Sequence, residues 1–269
     1  MIVWLASYPK SGNTYLRTIL ASYFFSKDGN YTYDLIKNIN QFPHGGLFKK
    51  LGIDISNQEE IVRNYIKVQE TINKKNSIQF FKTHSFFFKQ FTDLKNTLGV
   101  IYIVRDPRNV VTSLSNFMKI PVDQALKFMI SGKGDGLTWM ENWSKNYNSW
   151  KFFKNYEKYL LIKYEDLITK PEVIFLEILK FLFRLQNKSK LEIDENKFKN
   201  ALETTSFENL QKLENEKGFS EAKVDSSTGK NIPFFKLGSK RDWKKLLEEK
   251  FRVEIENNFR EEMQELGYL

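Results

Sequence analysis

The first residues that could do chemistry form a polar run at positions 7–15, with the sequence SYPKSGNTY. An apolar run of strand length, residues 2–6, precedes it, and apolar residues at helical spacing follow it: Leu16, Ile19, Leu20, Tyr23 and Phe24. A strand that turns sharply into a helix leaves free backbone N–H groups at the helix start, where the helix dipole also favours an anion. The turn therefore predicts a phosphate-binding loop, with Lys10 as an added positive charge. It differs from the nucleotide-binding P-loop, in which the lysine follows the last glycine, because here Lys10 precedes Gly12.

Basic residues also end two later apolar runs that indicate strands. The run at 78–82 ends in Lys82 and is followed closely by His84, and Arg105 follows the run at 99–104. Ligands of parallel α/β sheets bind beyond the carboxyl ends of the strands, so we expect these side chains to meet the phosphate-binding loop. An imidazole titrates near neutral pH, which makes His84 a candidate general base.

A helix is predicted to follow Arg105 directly. Asp106 is a suitable N-cap and Pro107 a suitable first helical residue. Ser113 then lies about two turns along this helix, on the face near its start.

These motifs resemble those of the soluble, cytosolic-type sulfotransferases that use 3′-phosphoadenosine 5′-phosphosulfate (PAPS). That family has a loop of roughly Tyr-Pro-Lys-Ser-Gly-Thr-x-Trp, a strand end of Lys-x-His, and an arginine followed two helical turns later by a serine. Three weaker matches follow in this chain: Tyr164-Glu165-Asp166, Thr205-Ser206-Phe207, and the run 236–243, which is similar to the family's Arg-Lys-Gly-x-x-Gly-Asp-Trp. The matches occur in the family's order and cover nearly the whole chain.

The resemblance implies an α/β fold in which residues 1–269 form a single domain, with a central parallel β-sheet flanked by helices, as in the P-loop-kinase-like sulfotransferase fold. It implies in-line transfer of a sulfuryl group from PAPS to a hydroxyl or amine of a small-molecule acceptor, without a metal. In these implied roles His84 is the general base, Lys10 stabilises the bridging oxygen, and Lys82 holds the transferring group.

The resemblance also implies which residues bind the cofactor. They are Lys10, Ser11, Gly12, Asn13, Thr14, Tyr15, Arg105, Ser113, Tyr164, Thr205, Phe207, Lys236, Gly238 and Ser239. The N–H groups of residues 11–14 would bind the 5′-phosphate, and Arg105 with Ser113 would bind the 3′-phosphate. For Tyr164 itself, packing is the more common role of such an aromatic residue.

The chain departs from the family pattern at three positions. Tyr15 stands where the family usually has Trp, which keeps an aromatic ring. Leu237 replaces a lysine and Arg241 replaces a glycine. Lys236, Lys240 and Arg241 therefore stay open as alternatives for the basic residue that holds the 3′-phosphate.

The amino-acid composition argues against several other classes of protein. The chain has 269 residues and a net charge of +9, and it contains no Cys, which excludes disulfides and thiolate metal sites. No apolar run is long enough to cross a bilayer, and we expect a cytoplasmic protein without a membrane anchor. The lysines are mixed with Glu and Asn along the chain, which favours a solvated basic surface with a local anion site over nucleic-acid binding.

Predicted strands alternate with predicted helices along the chain, which favours a parallel sheet with helices on both faces. Strands are predicted at 2–7, 78–82, 99–104 and 159–163, and helices at 13–26, 57–75, 121–131, 137–156, 171–184 and 241–266, with two short helices within 187–220. The segments at 27–56 and 218–240 are predicted to be a connector and a long loop.

Two other functions fit parts of the sequence. One is a nucleotide-dependent small-molecule kinase of related fold, and the other is a non-catalytic nucleotide-binding protein. A kinase would need a true Walker loop, which is absent from the sequence. The acceptor, the choice between O- and N-sulfation, and the oligomeric state stay open. The acceptor pocket is expected to be shaped by segments 27–56, 85–93, 119–140 and 218–235.

Overall fold

The computed structural model describes most of the chain. The described residues are 1–73, 77–132, 137–187, 192–219, 221–222, 224, 229, 231–235 and 242–269. Within them, five parallel strands form one sheet in the order β2-β3-β1-β4-β5. The strands are β1 (Ile2–Ala6), β2 (Asn40–Gln41), β3 (Gln79–Thr83), β4 (Thr97–Val104) and β5 (Tyr159–Lys163).

Helices cover both faces of this sheet. The described α-helices are α1 (Asn13–Phe25), α2 (Gly45–Lys49), α3 (Gln58–Ile72), α4 (Pro107–Met118), α5 (Val122–Ser131), α6 (Trp143–Trp150), α7 (Tyr164–Thr169), α8 (Pro171–Leu185), α9 (Glu195–Thr204), α10 (Phe207–Lys217), α11 (Trp243–Leu246), α12 (Glu249–Asn258) and α13 (Arg260–Glu265). Short 3₁₀ turns occur at Leu35–Asn38, Lys89–Phe91 and Lys151–Tyr156.

Strand β1 lies at the centre and is buried along its whole length. Side chains alternate between the two faces of a strand, so Trp4 packs with one hydrophobic core and Leu5 with the other. Helices α1, α8 and α9 supply one core, whereas α3, α4, α5, α6 and α12 supply the other. Burial on both faces explains why β1 and β4 read as continuous apolar runs rather than alternating ones.

The strand order creates a crevice beside β1. The chain passes from β1 to β3 on one side and then crosses to β4 on the other side. In open α/β sheets, a reversal of strand order separates the following loops and leaves room for a ligand at the carboxyl ends. The loops after β1, β3 and β4 begin at this crevice, and they carry the three main sequence motifs.

The structure confirms the α/β class and the parallel sheet, and it adds several short elements that the sequence does not predict. The segment 27–56 contains β2 and α2, which carry no clear periodicity because they are only two and five residues long. The segment 137–156 becomes helical only at Trp143, after Asn142 caps the N–H of Lys145.

The predicted C-terminal helix at 241–266 is wrong as one helix, because the described residues from 242 onwards form three. A break falls at Phe259, whose φ of −125° is not helical. Its N–H still bonds to Ile255, and Met263 bonds to Phe259, so the apolar face stays continuous across the break. Ile255, Phe259 and Met263 are all buried in the core, so the three side chains keep their packing although the helix is interrupted.

Candidate active site

A cavity of about 760 Å³ lies at the carboxyl ends of the central strands. Its walls include these residues that the sequence singled out: Lys10, Gly12, Asn13, Thr14, Tyr15, Lys82, His84, Arg105, Ser113, Tyr164 and Phe207. Ser11 is 1% exposed and does not line the cavity. Thr205 is fully buried, and its hydroxyl donates to the Ala201 carbonyl. The predictions for Lys236, Gly238, Ser239, Lys240 and Arg241 fall outside the described residues.

The turn after β1 is held in a conformation that few residues adopt. Gly12 has a φ of 99°, and a Cβ atom built on it would lie 2.3 Å from the Tyr164 ring. Glycine is therefore required both by the backbone and by the close approach of the ring. The Asn13 amide pins the turn by donating to the Leu5 carbonyl at 2.8 Å and to the Ser7 hydroxyl at 3.1 Å. The positive end of α1 is thereby fixed at the cavity.

The Lys10 ammonium lies between two aromatic rings at the cavity wall. Its Nζ is 4.0 Å from the centroid of Phe117 and 4.5 Å from that of Phe234. An ammonium over aromatic faces is stabilised by the ring quadrupoles, by about 0.5–2 kcal/mol per contact. These two contacts hold the ammonium of Lys10 at the mouth of the turn.

His84 meets Ser7 because of the strand register. Ala6 pairs with Thr83, so the next residue of each strand leaves the sheet beside the other. The Nδ1 of His84 lies 2.9 Å from the Ser7 carbonyl oxygen, which can only accept a hydrogen bond. This contact assigns the proton to Nδ1 and makes Nε2 the basic nitrogen, and the Ser7 hydroxyl, 3.1 Å from Nδ1, then accepts from the same N–H. The Asn146 amide holds the backbone by donating to the His84 carbonyl at 3.0 Å.

The imidazole is neutral in this environment. Burial, together with the ammonium of Lys82, lowers the pKa of His84 to about 3. A neutral imidazole with a free Nε2 is the form that can accept a proton.

A carboxylate that sequence reasoning missed lies beside Lys82. Glu221 accepts a hydrogen bond from the Thr14 hydroxyl at 3.1 Å and pairs with Arg17 at 2.5 Å and with Lys82 at 3.7 Å. Burial opposes the charge of Glu221, but Lys82 and Arg17 outweigh it and lower its pKa to about 2. Burial lowers the pKa of Lys82, and Glu221 counteracts this shift. Lys82 and Glu221 line the cavity, and Arg17, buried behind them, completes a cluster of two cations and one anion.

Arg105 lies on the other side of the phosphate-binding turn. Val104 pairs with Lys163, so Arg105 and Tyr164 leave the sheet side by side, and the guanidinium stacks 4.3 Å from the Tyr164 ring centroid. One guanidinium N–H donates to the Lys10 carbonyl at 3.2 Å. Its buried Nε has no hydrogen-bond partner among the residues that the structure describes. Arg105 thus ties the turn to the helix that carries Ser113.

Behind Arg105, Glu165 fixes the turn that leads into α4. Its carboxylate accepts from the Asp106 N–H at 3.1 Å and from the Tyr268 hydroxyl at 2.9 Å. Burial raises the pKa of Glu165, while these hydrogen bonds oppose the shift. Glu165 itself lies in the first turn of α7.

Much of the remaining wall of the cavity is apolar. It is formed by Leu114, Phe117, Met118, Phe128, Met140, Ile232, Phe234 and Phe235. Of the segments expected to shape an acceptor pocket, 27–56, 119–140 and 218–235 contribute lining residues, whereas the described segment 85–93 contributes none. Within it, Phe87 instead packs against Trp150 and Phe153.

Sequence spacing could have identified two of the missed residues. Arg17 lies one turn after Thr14 on α1, and Phe117 lies one turn after Ser113 on α4, so each continues a face that the motifs had already marked. Glu221 lies in a segment without periodicity, and nothing local connects it to Thr14 or Lys82.

Within the part of the chain that the structure describes, no group of three or more His, Asp or Glu side chains is placed to bind a metal ion. No described helix has both the length and the apolar character needed to cross a membrane.

Comparison with known proteins identifies relatives of one kind. The sequence profile described as the sulfotransferase domain matches residues 2–267. A flavonol 3-sulfotransferase from Flaveria bidentis is 24% identical over 255 residues, which are 90% of this chain and 75% of that protein.

Solved structures share the fold at low sequence identity. Mouse sulfotransferase SULT7A1 complexed with PAP has a TM-score of 0.63 and 18% identity, covering 97% of this chain and 84% of that one. Retinol dehydratase has a TM-score of 0.65 and 17% identity, and the match covers 97% of this chain and 80% of that one. Its structure is a complex with androsterone and the inactive cofactor PAP. The profile match spans nearly the whole chain, and the chain therefore belongs to the sulfotransferase family of enzymes.

Proposed function

We propose that residues 1–269 form a single sulfotransferase domain that transfers the sulfuryl group of PAPS to a hydroxyl or amine of a small-molecule acceptor, with His84 as the general base. The observation that carries the proposal is the position of a neutral imidazole beside Lys82, in the cavity that Lys10 and Arg105 also line. The relatives described above, two of them crystallised with 3′-phosphoadenosine 5′-phosphate (PAP), support PAPS as the donor.

The donor's two anionic groups have separate partners in this proposal. The 5′-phosphosulfate lies at the start of α1, where residues 11–14 supply N–H groups and Thr14 a hydroxyl. The 3′-phosphate lies against Arg105 and Ser113, which are both buried residues at the cavity wall. A guanidinium is well suited to a phosphate because its N–H groups match two oxygens at once.

The proposed reaction is an in-line displacement at sulfur. The acceptor oxygen or nitrogen attacks sulfur as its proton passes to Nε2 of His84. The bond between sulfur and the bridging oxygen breaks, and its electron pair stays on the 5′-phosphate of PAP. Lys10 stabilises the charge that develops on the bridging oxygen, and Lys82 binds the transferring group, so positioning and electrostatics supply the catalysis, as in phosphoryl transfer.

The low pKa of His84 is suited to this order of events. Burial and the ammonium of Lys82 keep the imidazole neutral, so it is ready to accept a proton. The bound donor brings negative charge close to the ring, which raises the pKa of His84 and strengthens it as a base. The imidazolium that forms keeps its Nδ1–H bond to the Ser7 carbonyl.

The apolar wall favours a small acceptor with an apolar body. Phe117, Phe128 and Phe234 present aromatic surface to the cavity. The relative from Flaveria bidentis is named as a flavonol sulfotransferase, and one of the structural neighbours was crystallised with androsterone. Hydroxyl compounds of such apolar character are the first acceptors to test.

The test has two parts: which nucleotide stabilises the protein, and whether the protein transfers sulfate from PAPS to an acceptor. Thermal unfolding is measured with PAP, with ATP and Mg²⁺, and with an oligonucleotide, because only a ligand that binds the folded state raises the midpoint. Transfer of radiolabelled sulfate from PAPS is then screened against phenols, alcohols, amines and sugars. Stabilisation by PAP alone and label on an acceptor support the proposal. Stabilisation by ATP and Mg²⁺ without label transfer would favour a kinase instead.

A further inference from the structure

Glu221 satisfies a set of donors that an anionic ligand also needs. Its Oε2 accepts from the Thr14 hydroxyl at 3.1 Å and lies 3.7 Å from the Lys82 ammonium. Its Oε1 lies 2.5 Å from a guanidinium nitrogen of Arg17. The Glu221 side chain is 28% exposed, and the residue lines the same cavity as the phosphate-binding turn.

Two of these partners belong to the proposed donor site. Thr14 lies in the first turn of α1, and Lys82 ends the strand that leads to His84. A carboxylate and a phosphate both bind hydroxyl and ammonium donors through anionic oxygens. The two groups cannot share the same donors without strong repulsion between like charges at contact distance.

We propose that Glu221 is an internal anion that occupies the position of the donor's 5′-phosphosulfate, and that the donor must displace it in order to bind. Glu221 therefore weakens the affinity for the donor and sets the concentration at which the enzyme is occupied. This inference rests on the proposed function, because it assumes that Thr14 and Lys82 bind the phosphosulfate.

The alternative role for Glu221 is to hold Arg17 and Lys82 in place. Arg17 does not depend on it, because its second guanidinium nitrogen donates to the carbonyls of Ile39 at 2.7 Å and Ile36 at 3.4 Å. Lys82 is 9% exposed and comes from the buried end of β3. Both cations are thus positioned by other parts of the fold, and Glu221 mainly neutralises their charge.

Glu221 is also charged in its contacts with Lys82 and Arg17. Burial alone would raise the pKa of its carboxyl, but Lys82 and Arg17 hold it at about 2. At neutral pH the carboxylate therefore competes as an anion rather than as a neutral acid. Displacing it breaks partly buried ion pairs, which reduces the net gain from donor binding.

The experiment measures PAP affinity by isothermal titration calorimetry in the wild type and in Glu221→Gln, which keeps the side-chain shape and removes the charge. We expect Glu221→Gln to bind PAP about tenfold more tightly. Adenosine 3′-monophosphate, which lacks the 5′-phosphate, serves as the second ligand and should bind both proteins equally. Glu221→Ala removes the same charge by a different route and should show the same selective gain.

The matched control is Glu208→Gln. Glu208 is an exposed carboxylate that lines the same cavity and forms none of the described ion pairs with Arg17 or Lys82. It tests whether any loss of negative charge near the site tightens binding, and we expect its PAP affinity to stay within about twofold of the wild type.

The outcomes separate the two proposals. Failure of the wild type to bind PAP would overturn the proposed function. PAP binding by the wild type with equal or weaker binding by Glu221→Gln would overturn only the inference about Glu221. An equal gain for PAP and for adenosine 3′-monophosphate, or an equal gain in Glu208→Gln, would also overturn it, because the gain would then be general electrostatics.

Discussion

The proton on His84 is the smallest feature on which the proposed reaction depends. A base must carry its lone pair on the nitrogen that faces the acceptor, and the Ser7 carbonyl fixes the proton on the other nitrogen. The same interaction that orients the ring therefore also selects its tautomer. Glu165 and Asn146 act in a comparable way, because each holds backbone next to a side chain of the site rather than reaching into the cavity.

The tautomer and the charge of His84 can be observed directly. We expect the ¹⁵N spectrum of histidine-labelled protein to show a neutral imidazole protonated at Nδ1 throughout about pH 5–8, because burial and Lys82 lower the pKa of His84 to about 3. The chain has only two histidines, so spectra of His84→Ala assign the signal. A midpoint near the ordinary histidine value, or a proton on Nε2, would contradict this description.

Arg105 should distinguish ligands by their 3′-phosphate. We expect Arg105→Ala to weaken PAP binding by about 2 kcal/mol, because a charge-assisted hydrogen bond to the phosphate is lost. Binding of adenosine 5′-monophosphate, which has no 3′-phosphate, should change much less. Calorimetric titration of both nucleotides measures the difference, and equal weakening would refute the contact.

At the scale of elements, the site is built by strand register and by one helix start. The pairing of Ala6 with Thr83 places Ser7 beside His84, and the pairing of Val104 with Lys163 places Arg105 beside Tyr164. Neither neighbour pair is adjacent in sequence. The site is therefore a product of sheet order as much as of the motifs themselves.

The turn before α1 offers a test of this construction. Gly12→Ala should destabilise the fold by more than about 2 kcal/mol and weaken PAP binding at least about tenfold, because the new methyl group both strains the backbone and collides with Tyr164. Gly52→Ala is the control, since Gly52 has a φ of 73° with no atom within 4 Å of an added Cβ.

Urea unfolding measures stability in both variants, and PAP titration measures the site. The control should lose only the cost of the left-handed conformation, about 1–2 kcal/mol, and keep its PAP affinity. Equal losses in both variants would show that the approach of Tyr164 has no role.

The sequence predicts the strands and helices that build the site better than the long-range contacts between their side chains. Strands β1 and β4 are readable because burial on both faces makes them continuous apolar runs, and α4 is readable from Asp106 and Pro107. The contact between Glu221 and Thr14 joins residues 207 positions apart, and no local pattern encodes such a contact. The break at Phe259 is equally hidden, because tertiary packing of the apolar face decides it.

At the scale of the whole molecule, the sheet order places all three motifs at one crevice. The family match over residues 2–267 agrees with the order of motifs along the chain. The chain departs from the family pattern within 236–241, and these residues lie outside the described ones. Which basic residue binds the 3′-phosphate therefore stays a prediction.

The buried titratable groups also make global stability depend on acid pH. The pKa of His84 is about 3 in the folded chain, so the unfolded chain binds the proton first, and stability falls as pH decreases below about 6.5. The pKa of Glu221 is about 2, so its contribution is lost as pH falls from about 4.5 towards 2.

We therefore expect the urea midpoint to fall steadily from pH 7 to pH 4. In His84→Gln, which cannot titrate at this position, the fall between about pH 6.5 and 4.5 should be smaller. Parallel pH profiles for the two proteins would contradict the lowered pKa, because His84 would then take up its proton at the same pH in the folded and the unfolded chain.

The most direct test of the central claim is the turnover of sulfate transfer from radiolabelled PAPS in the wild type, His84→Ala and His44→Ala. His44 is exposed and caps α2, so it controls for loss of a histidine away from the cavity. We expect His84→Ala to lower kcat by about 10²- to 10⁴-fold while it keeps its PAP affinity, and we expect His44→Ala to turn over like the wild type. Full turnover in His84→Ala would contradict the central claim.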